Sequence, residues 1–132
     1  MVLNELLSFL LVWISLNTNY ETSKFDFPVN VVKPIVIQEM VCGGKCPVVA
    51  FFSKDRGIFI SEMDLSDICN QSILLHELIH ALQINSNLED AFKEKEAYEL
   101  QNKFLEELSL KNDMIKILNV NKCRSNQSNK LF

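Results

Sequence analysis

The chain's only two histidines stand four residues apart in His76-Glu77-Leu78-Ile79-His80, and this spacing constrains the fold more than any other feature. On an α-helix, residues i and i+4 lie on one face, one turn apart, so both imidazoles can reach a single metal ion only if this stretch is helical. Glu77 then sits beside the pair, turned to act as a base rather than as a ligand. The pattern is H-E-x-x-H, in which two histidines bind zinc and the glutamate serves as general base. The competing reading is an ordinary helix that carries two structural or surface histidines. Two histidines scattered at random over 132 residues, with a Glu after the first, would fall in this pattern on the order of one time in a thousand.

Apolar periodicity places this helix from about residue 65 to 84, with Asp64 or Ser66 as its cap. Ile68, Leu75, Leu78, Ile79 and Leu82 cluster on one side, while Cys69, Ser72, His76, His80 and Gln83 form a neighbouring stripe. Asn85-Ser86-Asn87 reads as a turn, followed by a second helix from about 88 to 110 whose buried side carries Ala91, Ala97, Tyr98, Phe104, Leu105 and Leu108. So short a connection makes the two helices an antiparallel hairpin.

Catalytic zinc takes three protein ligands and leaves one position for water. Two histidines are available, so the third ligand is Asp, Glu or Cys. Glu94 lies near the middle of the second helix's buried stripe, a costly place for a carboxylate unless it meets a cation or a metal. His80 and Glu94 lie about 4 and 6 residues from the turn, which at 1.5 Å per residue sets them at matching heights of roughly 6 and 9 Å. Glu96, almost opposite the stripe, is the fallback ligand. Glu89 and Asp90 fall in the first helical turn, where carboxylates also complement the helix dipole. A solvated helix charge remains the plain alternative for Glu94.

Residues 3–16 are apolar, with Leu6, Leu10 and Trp13 at helical spacing. No Lys or Arg precedes the run and Glu5 opens it, so it reads as a first helix rather than a signal peptide, and it is too short to span a bilayer. A membrane-attached or exported protein is the rival reading, with a cytoplasmic one favoured. The β-branched run Val29–Val41 reads as strand material interrupted by Pro34. Pro47–Ser53 and Gly57–Ser61 read as an antiparallel hairpin across Lys54-Asp55-Arg56. Residues 112–120 suggest one further short helix, and 121–132 a flexible tail. The expected fold is therefore a single α+β domain over 1–120: a small antiparallel sheet packed on a helical hairpin that carries the metal, with an added N-terminal helix.

Four cysteines, Cys42, Cys46, Cys69 and Cys123, permit two disulfides in any of three pairings, none of them favoured by an established secretory context; free thiols, a single bridge from Cys42 or Cys46 to Cys69, and a structural zinc are the readings weighed beside this. A net charge of −4 and the absence of any basic run argue against nucleic acid as a partner.

His76-Glu-Leu-Ile-His80 followed by Glu94-x-x-Ala97-Tyr98 resembles the gluzincin pattern. More closely, the Cys42-Gly-Gly-x-Cys46 turn, the helix Ser72 to Gln83 and Glu96-Ala-Tyr-x-Leu-Gln-Asn102 resemble a family of small, uncharacterised bacterial proteins described as zinc metallopeptidases. The resemblance covers most of residues 5–108. It implies Zn2+ held by His76, His80 and Glu94, with Glu77 as the catalytic base. It also implies that the residue after Ala97 supports a histidine ligand; here this is Tyr98, a departure, because a phenol brings no carboxylate charge.

On this reading the chain is a hydrolase acting on a peptide or protein substrate. Glu77 accepts a proton from the attacking water and passes it to the leaving amine. Gly57–Ser61, the strand just ahead of the metal helix, is either an edge for an extended substrate or plain sheet structure. The alternative function is a zincin-like peptide-binding or regulatory domain without peptidase activity.

Overall fold

The computed structural model describes residues 2–110 and residue 123. The chain runs α1 (Leu3–Asn17), β1 (Val29–Val32), α2 (Pro34–Cys42), β2 (Ala50–Ser53), β3 (Gly57–Ser61), α3 (Ile68–Leu82) and α4 (Asp90–Leu110), with single 3-10 turns at Thr22–Lys24 and Gln83–Asn85. It is an α+β arrangement, as expected. The expected helix over 112–120 and the tail over 121–132 lie outside the described residues, apart from Cys123.

Val29–Val41 is where local composition misleads. Only Val29–Val32 is strand, and Pro34 does not interrupt that strand but opens α2 at its first turn. Proline's fixed φ suits that position, and its missing N–H is one that a helix start leaves unpaired in any case. Lys33 before it is extended, and Gly43, at φ 69°, ends the helix in the left-handed conformation that glycine adopts without penalty. Ile37 is the buried contact that holds α2 to the sheet, beside Val48 and Phe59.

The sheet is mixed rather than antiparallel throughout as expected, in the order β1-β3-β2, because β1 lines up in parallel beside the hairpin. β2 and β3 form the expected antiparallel hairpin, with Phe51 opposite Phe59, while β1 adds to β3 in parallel, with Val29 opposite Ile58. β3 is therefore the central strand and is buried along its whole length, so it is no substrate edge: both of its backbone sides are already paired. Gly57 starts it at φ 96°, and a Cβ there would lie 2.5 Å from the Pro28 carbonyl oxygen that accepts the Ile58 N–H.

One face of the sheet packs on α3 through Ala50, Ile58 and Ile60 against Leu74, Leu75, Leu78 and Ile79. The α1 residues Leu6, Leu10, Trp13 and Ile14 complete that core, and the Trp13 indole N–H donates to Glu107 Oε2 on α4 at 2.9 Å. Phe9, Val12 and Leu16 form the outer, exposed stripe of α1, which explains why this segment reads as almost continuously apolar. Among the described residues no helix is long and apolar enough to cross a membrane.

The cysteines pair as Cys42–Cys46 and Cys69–Cys123, so neither free thiols nor a bridge from Cys42 or Cys46 to Cys69 describes the chain, and no cysteine remains for a structural zinc. Cys69, in the first turn of α3, meets Cys123 next to Leu105 of α4. A bridge closing a separation of 54 residues removes on the order of 4 kcal/mol of chain entropy from the unfolded state. Cys123→Ser is expected to lower unfolding stability by up to that amount, read in a denaturant titration, whereas Cys42→Ser, which opens only a four-residue separation, costs less.

Candidate metal centre

Asp67, rather than Asp64 or Ser66, caps α3: its side chain accepts from the Cys69 N–H at 2.7 Å. From that start the helix runs unbroken through His80 to Leu82, then tightens into the Gln83–Asn85 turn that carries the chain to α4. α4 returns antiparallel: Gln83 at the end of α3 meets Lys93 and Glu96, whereas Ser72 near its start meets Gln101.

The hairpin brings His76, His80 and Glu94 together. His76 Nε2 is 2.6 Å from Glu94 Oε1 and 3.1 Å from His80 Nε2, and His80 Nε2 is 3.4 Å from the same carboxylate oxygen. Tetrahedral zinc with bonds of about 2.0–2.1 Å sets its ligand atoms roughly 3.3 Å apart. Two of the three separations match this and the third is shorter, so the donor set suits a small divalent ion with little adjustment. His76 is fully buried, His80 mostly so, and Glu94 is about a third exposed, which leaves the centre open on one side.

What surrounds the imidazoles decides which nitrogen carries the proton. Gln83 Nε2 donates to the Lys93 carbonyl at 2.9 Å and to Glu96 Oε1 at 2.8 Å, and neither partner can donate in return. The amide orientation is thereby fixed, its oxygen faces His80 Nδ1 at 2.8 Å, and that nitrogen must be the N–H. The same logic runs through His76. Ser72 Oγ gives its hydrogen to the Cys69 carbonyl at 2.6 Å and so accepts from Gln101 Nε2 at 3.2 Å; Gln101 Oε1 then faces His76 Nδ1 at 2.9 Å. Both rings thus carry their outward proton on Nδ1 and direct Nε2 at Glu94, where Nε2 can hold a proton in the metal-free protein or offer its lone pair to an ion, the outer hydrogen bonding found on metal-binding histidines.

Glu77 is buried, at 2 % exposure, and its charge acts on both His80 and Tyr98, which sets it beside the cluster and outside the ligand triangle. The Tyr98 ring packs 4.5 Å from the His76 ring; burial, then the charges of Glu94 and Glu77, push its phenol up to about 12, so it stays a hydrogen-bond donor. Glu96, the fallback ligand, is not in the triangle. It accepts from Gln83 and from the Tyr20 hydroxyl instead, because the segment after α1 lies along α4 and gives the side opposite the buried stripe a partner.

Helix phase placed Ser72 and Gln83 on the stripe of the histidines without giving them a role, and Tyr20 and Gln101 escaped sequence reasoning as parts of the centre. Gln83 stands three residues after His80 and Gln101 seven after Glu94, both helix-face spacings, which is the only local signal they carry.

Burial pulls the His80 imidazole down, but the Glu94 hydrogen bond and the Glu77 charge outweigh it and leave it raised above 6.5. Burial pushes Glu94 up, yet the hydrogen bonds from His76 and His80 hold it well below 4.5. A raised histidine stabilises fully below its unfolded value of 6.5 and loses the contribution as pH climbs through the folded value. A lowered carboxylate stabilises above 4.5 and loses the contribution as pH falls through the folded value. This pair therefore favours the metal-free fold most between about 4.5 and 6.5. Melting chelator-treated protein from acid to alkaline pH is expected to give its maximum there, and added zinc to raise stability most on the alkaline side, where protons no longer compete.

A family model described as a domain of unknown function, DUF6647, matches residues 2–129. No curated protein and no solved structure matches the chain.

Proposed function

The chain belongs to the DUF6647 family, whose description names no chemistry, and we propose from its own residues that it is a zinc-dependent metallopeptidase. One observation carries the reading: two histidines and a carboxylate converge from facing helices, and both histidines are locked with a proton on Nδ1 by amide oxygens. A structural histidine pair has no need of two independent relays that leave both Nε2 atoms aimed at one point.

His76, His80 and Glu94 would hold the ion, with one side open towards solvent. Zinc there supplies Lewis acidity, polarising a carbonyl and bringing the pKa of water towards neutrality. Glu77 takes the proton of the attacking water and hands it to the departing amine nitrogen, so the peptide bond breaks without a free proton crossing the site. Tyr98, protonated beside His76, can donate to the carbonyl oxygen as negative charge develops on it.

An extended substrate would add to β2 rather than to β3. In an antiparallel ladder, hydrogen-bonded pairs alternate along the strand. Ser61 N–H donates to the Val49 carbonyl at 2.8 Å, so the paired positions are Val49, Phe51 and Ser53, and the backbone groups of Ala50 and Phe52 point away from β3 at the sheet edge. β2 also lies against α3, which makes its outer side the place where a peptide can extend the sheet beside the metal helix.

The test is metal analysis followed by digestion of a mixed peptide library, with and without chelator. About one equivalent of zinc and chelator-reversible cleavage are expected. A protein that takes up no zinc when it is offered ends this reading.

A further inference from the structure

We infer that Glu96 and Tyr20 are positioning residues of the metal centre: through Gln83 they hold the His80 ring in its ligating orientation and make its Nε2 a stronger donor. The inference rests on the metallopeptidase reading for its metal and on hydrogen-bond direction for everything else.

The two relays behind the imidazoles differ in how they end. Behind His76 the order is Gln101, Ser72 and the Cys69 carbonyl, all neutral and all within the helical hairpin. Behind His80 it is Gln83 and then the Glu96 carboxylate. A carboxylate acting through one amide polarises that amide, so its oxygen draws the Nδ1 proton more strongly and the opposite ring nitrogen becomes more electron-rich. The effect is the one a carboxylate has when it bonds a ligating histidine directly, moved one amide further away.

Glu96 needs a reason to remain at that place. Gln83 Nε2 also donates to the Lys93 carbonyl, so the amide alone does not pin the carboxylate. Tyr20 does: its hydroxyl donates to the same Oε1 that receives Gln83. Burial, with the hydrogen bond and charge of Glu96, pushes the Tyr20 phenol well above its ordinary value, so it remains a donor. Tyr20 is itself held by the end of α1, where Thr18 Oγ1 accepts from the Tyr20 backbone N–H at 3.1 Å and donates to the Ile14 carbonyl at 2.8 Å. The segment after the first helix is in this way part of the centre, 76 residues away in sequence from the carboxylate it holds.

The test uses the full-length protein loaded with zinc, with two readouts independent of activity: zinc affinity by competition with a chromophoric chelator, and the imidazole Nδ1–H proton resonances of His76 and His80. Glu96→Leu is expected to weaken zinc ten- to hundredfold, to move the His80 Nδ1–H signal upfield and to speed its exchange with water, while the His76 signal stays in place. Glu96→Gln keeps an acceptor for Gln83 and recovers part of the affinity. Tyr20→Phe gives an intermediate loss with the same selectivity for His80, and it carries the test if Glu96→Leu does not fold. Unchanged affinity in Glu96→Leu and Tyr20→Phe overturns the inference, as do His76 and His80 signals that shift together, which would mean general loosening. Wild-type protein that binds no zinc removes the metallopeptidase reading and this inference with it; wild type that binds zinc beside unresponsive variants removes this one alone.

Discussion

Glu77→Gln is expected to keep zinc bound and to lose at least about a hundredfold in peptide hydrolysis. Glutamine fills the same volume, so α3 and its packing are undisturbed, but the amide cannot accept the water proton. Glu77 is buried beside the cluster without belonging to the triangle of His76, His80 and Glu94, and for that reason metal and turnover should separate in this variant. Zinc content would be read by metal analysis and turnover on a peptide cleaved by the wild type. Loss of zinc together with activity would make Glu77 a ligand, and undiminished cleavage would place the base elsewhere. A wild type that holds zinc and leaves every peptide intact would favour a peptide-binding domain.

The second large effect is on the metal itself. Glu94→Gln keeps the shape of α4 but replaces an anionic ligand with a neutral amide, and His76→Ala removes the buried donor outright; each is expected to weaken zinc by more than the ten- to hundredfold typical of an outer hydrogen-bond partner. The two variants should differ in stability. His76→Ala leaves Gln101 Oε1 buried without its donor and opens a cavity, at a cost of about 1–3 kcal/mol for the orphaned oxygen alone. Glu94→Gln leaves no cavity but removes the carboxylate that both imidazoles face, so it should lower the metal-free melting temperature most between about pH 4.5 and 6.5 and less on the alkaline side. Zinc affinity within a few-fold of wild type in Glu94→Gln would exclude it as a ligand.

How much of this was legible in the sequence depended on whether a property is local. The spacing of His76 and His80 is local, and so is the phase that sets Glu94 at their height across a short turn. The α+β class follows from the same patterns. The Val29–Val41 segment shows the limit: β-branched composition favoured strand, but Pro34 at a helix start and the burial of Ile37 decided for α2. That β3 is central could not be read from the hairpin, because it depends on β1 adding in parallel from a distant part of the chain. The roles of Gln83 and Gln101 were hidden for a related reason. An amide's orientation is set by whichever acceptor ends its relay, and Glu96, Lys93 and Ser72 become those acceptors only once the hairpin has closed.

The central place of β3 has a kinetic consequence for whatever the cluster holds. Strand residues bonded on both sides and fully buried are the last to open in local unfolding, and α3, which carries His76 and His80, packs directly on them. Glu94 sits one turn inside α4, whose opening residues Asp90, Ala91 and Phe92 are exposed to solvent. Fraying from that end withdraws the carboxylate while both imidazoles stay fixed. Any ion held there would therefore have a preferred way out, with a residence time set by the first turn of α4 rather than by the stability of the domain.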